Sequence, residues 1–135
     1  MQLTRAADYG VRVMIHLAGL QPGTRISLPE MAEAVEVPEH FLSKVLQMLC
    51  RRGLVQSHRG AGGGFELVAD ANTISILDVV EAMEGPIQLN VCLGEYGSCG
   101  RKSWCPAHKV WVEAQKALVE VLRRESIANL AQQAV

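Results

Sequence analysis

The sequence predicts a mainly α-helical fold with a small β-hairpin wing: a winged helix-turn-helix followed by a long C-terminal helix. Three observations predict this class. Apolar residues recur at helical spacing in several segments of the first half. Two β-prone segments flank a glycine-rich stretch at 60–64. Pro106 then opens an amphipathic stretch that continues to about Arg124.

Composition restricts the class of protein. Of the 135 residues, 49% are apolar and 20% are charged, which suffices for a core and argues against disorder. The first residues are charged where a secretory signal is apolar, and no apolar run approaches the ~20 residues of a membrane span. We therefore expect a cytoplasmic protein without a membrane partner. The net charge of −1 does not by itself indicate nucleic acid.

The first three predicted helices have recognisable ends. Thr4 is a candidate N-cap for a helix within 3–20. Ser27 is the candidate N-cap of a short second helix, and Glu30 completes a capping box. A third helix follows the turn at VPEH and stops at Gly53.

The rest of the chain continues with a hairpin and three more helices. The segments LVQS and FELV flank the glycines and predict a hairpin with a flexible tip. A helix from about Ser75 to Met83 follows and ends before Gly85-Pro86. The long helix from Pro106 would measure ~28 Å at 1.5 Å per residue, and a short helix, SIANLAQQ, closes the chain.

The long helix is predicted to mediate dimerisation, because it would protrude from so small a domain. Packing on its own domain is the alternative. Its apolar stripe consists of Trp111, Ala114, Leu118, Val121 and Leu122. The predicted organisation is a DNA-binding domain at 1–70, a connecting helix and linker at 71–90, a cysteine loop at 91–108, and a dimerisation helix with a C-terminal helix at 105–135.

The third helix is the predicted recognition helix of the helix-turn-helix. The N-terminal residues of such a helix face base edges in the major groove of double-stranded DNA. We expect Phe41 and Leu42 to anchor the helix to the core, whereas a solvated helix face is the alternative interpretation of its polar residues. The candidate base contacts are Glu39, His40, Ser43, Lys44 and Gln47.

Four basic residues near the hairpin are candidate DNA contacts. Arg51 and Arg52 could bind phosphate, which adds sequence-independent affinity. His58 and Arg59 precede the glycines, and an arginine there could enter a narrow minor groove. GAGGG is not a nucleotide-binding loop, because Phe65 occupies the third glycine position and no Lys-Ser/Thr follows.

Cys92, Cys99, Cys105 and His108 form a candidate metal site. The spacings of six and five residues between the cysteines are too wide for ordinary zinc knuckles and favour an iron–sulfur cluster. Zinc in a Cys3His site and a loop of unligated thiols are the alternatives. Three thiolates need a fourth ligand, either His108 or an acidic side chain from elsewhere. Cys50 lies among apolar residues and is expected to be a buried thiol.

Several motifs resemble the Rrf2 family of bacterial repressors, which includes the cluster regulator IscR and the nitric oxide sensor NsrR. They are LT-x(3)-DYG-x-R at the start, L-x(4)-RG-x-GGG-F in the hairpin, and the cysteine loop ending in C-x-x-H. The resemblance implies a homodimer whose long helices cross. It matches Cys92, Cys99 and Cys105 to the cluster cysteines and Arg59 to the wing arginine. It offers two fourth ligands: His108, as in IscR, or Asp8 from the partner subunit, as in NsrR-like members.

The sequence thus predicts a dimeric repressor that binds a DNA operator. A two-iron or four-iron cluster that senses redox state, oxygen, nitric oxide or iron–sulfur status would control it. A zinc-stabilised or cluster-free DNA-binding protein without redox sensing is the alternative. An enzyme is not expected, because no Cys-x-x-Cys or nucleophile–base pair stands out.

Overall fold

A computed structural model describes residues 2–94 and 99–134. Within these ranges the order of elements is α1 Arg5–Ala18, α2 Leu28–Val35, α3 Glu39–Arg51, β1 Val55–His58, β2 Gly64–Leu67, α4 Ile76–Glu84, a 3-10 turn at Val91–Leu93, α5 Pro106–Arg124 and α6 Ile127–Gln133. The predicted winged helix-turn-helix with a long C-terminal helix is confirmed. Part of the predicted cysteine loop, 95–98, lies outside the described residues.

Side-chain caps start the helices where the sequence predicts. The Thr4 hydroxyl accepts the N–H of Ala7 at 3.1 Å, and the Ser27 hydroxyl accepts the N–H of Glu30 at 3.3 Å. A reciprocal capping box forms at α4 instead, where Ser75 accepts from the Asp78 N–H at 3.2 Å and donates its own N–H to Asp78 at 2.9 Å. Such caps satisfy amide groups that a helix leaves unpaired in its first turn.

The core lies around α1, which packs against α2, α3, α4 and α6. The buried face of α3 fixes the predicted recognition helix on this core and consists of Leu42, Val45, Leu46 and Leu49. Gly10 lets α1 and α4 approach closely, because a Cβ there would lie 3.0 Å from Cγ of Met83.

The hairpin packs on the helical core through one face. Val55 pairs with Leu67 and Ser57 with Phe65 in an antiparallel register. Ile26, just before α2, exchanges two backbone hydrogen bonds with Phe65, at 3.0 and 2.8 Å. The wing is therefore joined to the start of the helix-turn-helix by backbone as well as by side chains.

The long helix α5 contributes no buried residue, whereas α6 returns to the core, where Ile127 is fully buried. The Ile127 N–H donates to the Ile74 carbonyl at 2.8 Å and joins α6 to the start of α4. α5 packs on α4 through a partly buried face, as the alternative expects, and its opposite face stays exposed in this single chain. No helix in the described ranges is long and apolar enough to span a membrane.

Candidate metal centre and nucleic-acid interface

The candidate metal ligands of the cysteine loop meet around one small cavity. Cys92 lies in the 3-10 turn, which Asn90 caps, and Cys105 is the residue that precedes the first turn of α5. The cavity has a volume of about 90 Å³ and is lined by Asn90, Val91, Cys92, Cys99, Lys102, Cys105, His108 and Trp111. The local turn and the start of α5 thus bring together residues that the sequence spreads over an irregular loop.

His108 faces the thiols. Its Nδ1 lies 3.1 Å from the Sγ of Cys92, within hydrogen-bond distance for sulfur. All four cysteines of the chain are free thiols, and Cys92 is buried. His108 comes one turn after Cys105 on α5, so helical geometry places it next to the loop cysteines.

The described ligands are not arranged around a single metal ion. In residues 2–94 and 99–134, no three histidine, cysteine or acidic side chains come together as ligands of one metal ion. The cavity is several times larger than the ~10–15 Å³ that one water molecule needs. The cavity that Cys92, Cys99 and Cys105 line could therefore admit a small group.

A polar contact that sequence reasoning missed connects the loop to α5. The Leu89 N–H donates to Oε1 of Gln115 at 2.9 Å. Gln115 lies on the face of α5 that is turned to the domain, between the partly buried Val112 and Val119. In the sequence, the polar Gln115 in this otherwise apolar row of α5 was the signal that could have indicated the contact. The contact fixes the chain just before the 3-10 turn that carries Cys92.

Asp8, the other candidate fourth ligand, lies on the exposed side of α1. Its carboxylate binds the Arg12 guanidinium at 3.0 Å, and its side chain is 54% exposed. Arg12 also donates to the Val35 carbonyl at 3.2 Å and lies 5.3 Å from the centre of the Tyr9 ring. Asp8 does not line the cavity of its own chain, so it could act there only from another subunit.

The predicted recognition helix, α3, presents most of the candidate DNA contacts to solvent. Glu39, His40, Lys44 and Gln47 are exposed, and Ser43 is half-buried. Leu42 is buried as predicted, but the core position predicted for Phe41 is wrong. Phe41 is 37% exposed, and its ring meets the Tyr9 ring edge-on at 5.5 Å. Phe41 therefore connects α3 to α1 at the surface.

The basic residues around the wing differ in their surroundings. Arg51, Arg52 and Arg59 are exposed. His58 instead contacts the Glu66 carboxylate through its Nε2, and the two side chains are 19% and 18% exposed. Sequence reasoning missed Glu66, although an acidic residue two positions from the strand partner of a histidine was a signal for such a pair.

Cys50 lies apart from the cavity, at the end of α3. Burial raises the pKa of the Cys50 thiol, and a hydrogen bond with the Ser57 backbone lowers it by a smaller amount. The sequence predicts a buried thiol, and Cys50 is half-buried and packed against the core. A neutral thiol with a hydrogen-bond partner in the wing is a structural contact between α3 and β1.

The fold and these surfaces define a winged helix-turn-helix DNA-binding protein with a thiol-lined cavity beside its C-terminal helix. Residues 3–133 match the family model described as Rrf2, an iron-dependent transcriptional regulator. The chain belongs to the Rrf2 family of DNA-binding transcriptional regulators, which are not enzymes.

Relatives agree with this assignment in sequence and in structure. The chain is 32% identical over 133 residues to a protein of Mycobacterium tuberculosis strain H37Rv named as an HTH-type transcriptional regulator, covering 97% of this chain and 81% of that protein. It is similar to CymR, the global cysteine regulator of B. subtilis, with a TM-score of 0.79, 28% identity and 98% of both chains covered. T. potens IscR matches with a TM-score of 0.77 and 27% identity, covering 100% of this chain and 89% of the other.

Proposed function

We propose that the protein is a dimeric transcriptional repressor whose operator affinity is controlled by an iron–sulfur cluster held by Cys92, Cys99 and Cys105. The observation that carries this proposal is that the three cysteines and His108 line one cavity. Thiolates are the usual protein ligands of iron–sulfur clusters. When bound, such a cluster supplies a group that reacts with oxidants and nitric oxide.

The geometry favours His108 as the fourth ligand. Its ring already faces the cavity, whereas Asp8 of the same chain lies on the exposed side of α1 and binds Arg12. Asp8 from the partner subunit is the competing ligand. The two are distinguished by comparing His108→Ala with Asp8→Ala in anaerobically purified protein. The ligand is the residue whose loss lowers the iron and sulfide content and shifts the visible bands.

The exposed apolar face of α5 supports the dimer. On a helical wheel, Val110, Trp111, Ala114, Ala117 and Val121 share one side of α5. Val110 is 58% exposed, Trp111 41% and Val121 54%. Exposed apolar rows of this kind are typical of interaction sites. A second copy of α5 would bury this face and bring two recognition helices onto one operator, whose half-sites are spaced by about one helical turn.

Contacts along α1 connect Asp8 to the recognition helix. Arg12 joins Asp8 to the last residue of α2, Val35, and also lies over Tyr9. The Tyr9 ring in turn contacts Phe41 in the first turn of α3. If a group near Asp8 changes its position, this row of contacts would move the recognition helix, and the operator affinity of the dimer would change.

DNA contact is assigned to the exposed residues of α3 and the wing. Glu39, His40, Ser43, Lys44 and Gln47 would meet base edges, and Arg51 and Arg52 would meet phosphate. Arg59 leaves the end of β1 at the tip of the wing, where it would enter the minor groove beside the half-site.

The first experiment is purification without oxygen, followed by a visible spectrum and assays of iron, sulfide and zinc. We expect a brown protein with similar amounts of iron and sulfide. The triple variant Cys92→Ala, Cys99→Ala, Cys105→Ala should be colourless, and its affinity for an operator duplex selected from a random library should differ about 5- to 150-fold from that of the loaded protein. Cys50→Ala is the matched control and should keep the colour.

Two results would contradict the proposal. A colourless wild-type protein with stoichiometric zinc would indicate a zinc-stabilised regulator without redox sensing. A protein without iron or zinc, with equal operator affinity for wild type and triple variant, would indicate a cluster-free DNA-binding protein.

A further inference from the structure

The wing carries a side-chain pair outside both the recognition helix and the cysteine cavity. His58, the last residue of β1, contacts Glu66 of β2. The register sets His58 opposite Gly64 and Glu66 opposite Gln56, so the pair crosses the hairpin diagonally. Since Gly64 has no side chain, the space opposite His58 stays open for its ring to lean toward Glu66.

Glu66 is an unexpected residue on a surface that approaches DNA. A carboxylate near phosphate lowers affinity by repulsion, so simple electrostatics favours its removal. Yet Glu66 and His58 are both about four-fifths buried, which means that the pair is enclosed by the hairpin rather than free in solvent. The pair therefore lies within the packing of the hairpin and not among its freely exposed charges.

The backbone turns at the tip directly after Arg59. Gly60 and Gly62 have φ angles of +84° and +75°, which glycine adopts readily. Among described residues, the tip turn is closed by a backbone hydrogen bond from Gly63 to Gly60 at 3.0 Å. Arg59 follows directly on His58, the last residue that the strand pairing holds, so the position of His58 sets where Arg59 leaves the strand.

We infer that Glu66 is a positioning residue for operator binding. By binding His58 it fixes the end of β1, and with it the direction of Arg59 toward the groove beside the half-site. This gives His58 an indirect role in place of the direct DNA contact that its sequence position predicts. The inference rests on the proposed contact between Arg59 and the operator.

The direction in which Glu66→Ala changes the operator affinity tests the inference. Glu66→Ala removes a negative charge from the DNA-facing wing, and electrostatics alone predicts tighter binding. A positioning role predicts the opposite: affinity for the selected operator falls about three- to tenfold, and the preference for A·T over G·C flanks falls with it. Two duplexes that differ only in their flanks, measured by fluorescence anisotropy, provide both readouts.

Conservative and double variants separate positioning from a general loss of structure. Glu66→Gln keeps an oxygen for His58 and should restore both affinity and flank preference. A double-mutant cycle combines Glu66→Ala with Arg59→Ala. Once Arg59 is absent, Glu66→Ala should no longer change the operator affinity. If Glu66→Ala unfolds, His58→Ala breaks the same pair from the other strand and should give the same flank-specific loss.

Failure of the inference about Glu66 can be distinguished from failure of the proposed Arg59 contact. Unchanged affinity and flank preference in Arg59→Ala would overturn the proposed wing contact and the inference together. A clear loss in Arg59→Ala with equal or tighter binding by Glu66→Ala would overturn the inference alone. Equal losses on both duplexes that Glu66→Gln does not restore would also overturn it, because they would indicate a merely structural role.

Discussion

Gly64 occupies a position in the wing that has no room for even a small side chain. Its φ is +137°, and a Cβ built there would lie 2.6 Å from the carbonyl oxygen of Ile26 and 2.8 Å from its carbonyl carbon. These are backbone atoms, so no side-chain rotation relieves the overlap. Gly64→Ala would have to displace β2 from Ile26 and break the two hydrogen bonds between Ile26 and Phe65.

The expected loss of stability follows from these contacts. An unfavourable backbone conformation costs about 1–3 kcal/mol, and each lost hydrogen bond contributes about 0.5–1.5 kcal/mol. We therefore expect Gly64→Ala to lower the free energy of unfolding by roughly 2–6 kcal/mol, a large part of the ~5–15 kcal/mol typical of a domain. Urea denaturation followed by far-UV circular dichroism measures this change.

A control at Gly23 separates the cost of the contact with Ile26 from the cost of the backbone conformation. Gly23 also has a positive φ, +82°, but nothing lies within 4 Å of a Cβ built there. Gly23→Ala should therefore show only the conformational cost of about 1–2 kcal/mol. If the two variants lose the same free energy of unfolding, the packing of the wing against Ile26 is not the cause and the reasoning is refuted. Amide exchange of Phe65 should accelerate in Gly64→Ala alone.

Three further predictions concern α5, the recognition helix and Cys50. The double variant Trp111→Glu, Val121→Glu should be a monomer in sedimentation velocity and should bind the operator more weakly. Lys116→Glu, on the polar side of α5, should leave the dimer intact. A double variant that stays dimeric would show that this face is not the interface. Leu46→Ala should lower the free energy of unfolding by about 2–5 kcal/mol, because Leu46 is fully buried on the core-facing side of α3. A change below ~1 kcal/mol in urea denaturation would contradict that packing. The Cys50 thiol should be alkylated more slowly than free cysteine at about pH 8–9, and the rate should rise with pH, because burial raises the pKa of this thiol. Mass mapping that finds Cys50 as reactive as free cysteine would contradict this prediction. The same raised pKa means that its contribution to stability is present below the ordinary thiol pKa and is lost as pH rises through the folded-state pKa.

The elements of this protein follow from local sequence rules. Thr4, Ser27 and Ser75 cap helices at the predicted places, and Pro106 begins α5 as its position requires. The glycines at 60–64 predict the hairpin because hairpin tips need positive φ. Caps, breakers and periodicity act over a few residues, so the chain itself determines these features.

Tertiary structure decided which side chains meet. Cys92, Cys99 and His108 come to one cavity only because the loop folds back against α5, which the Leu89–Gln115 hydrogen bond helps to fix. The exposed place of Phe41 and the pairing of His58 with Glu66 depend on how α3 and the hairpin pack and register. Periodicity shows that a residue lies on an apolar or polar face, but contacts between elements depend on the packing of the whole chain, which no local pattern specifies.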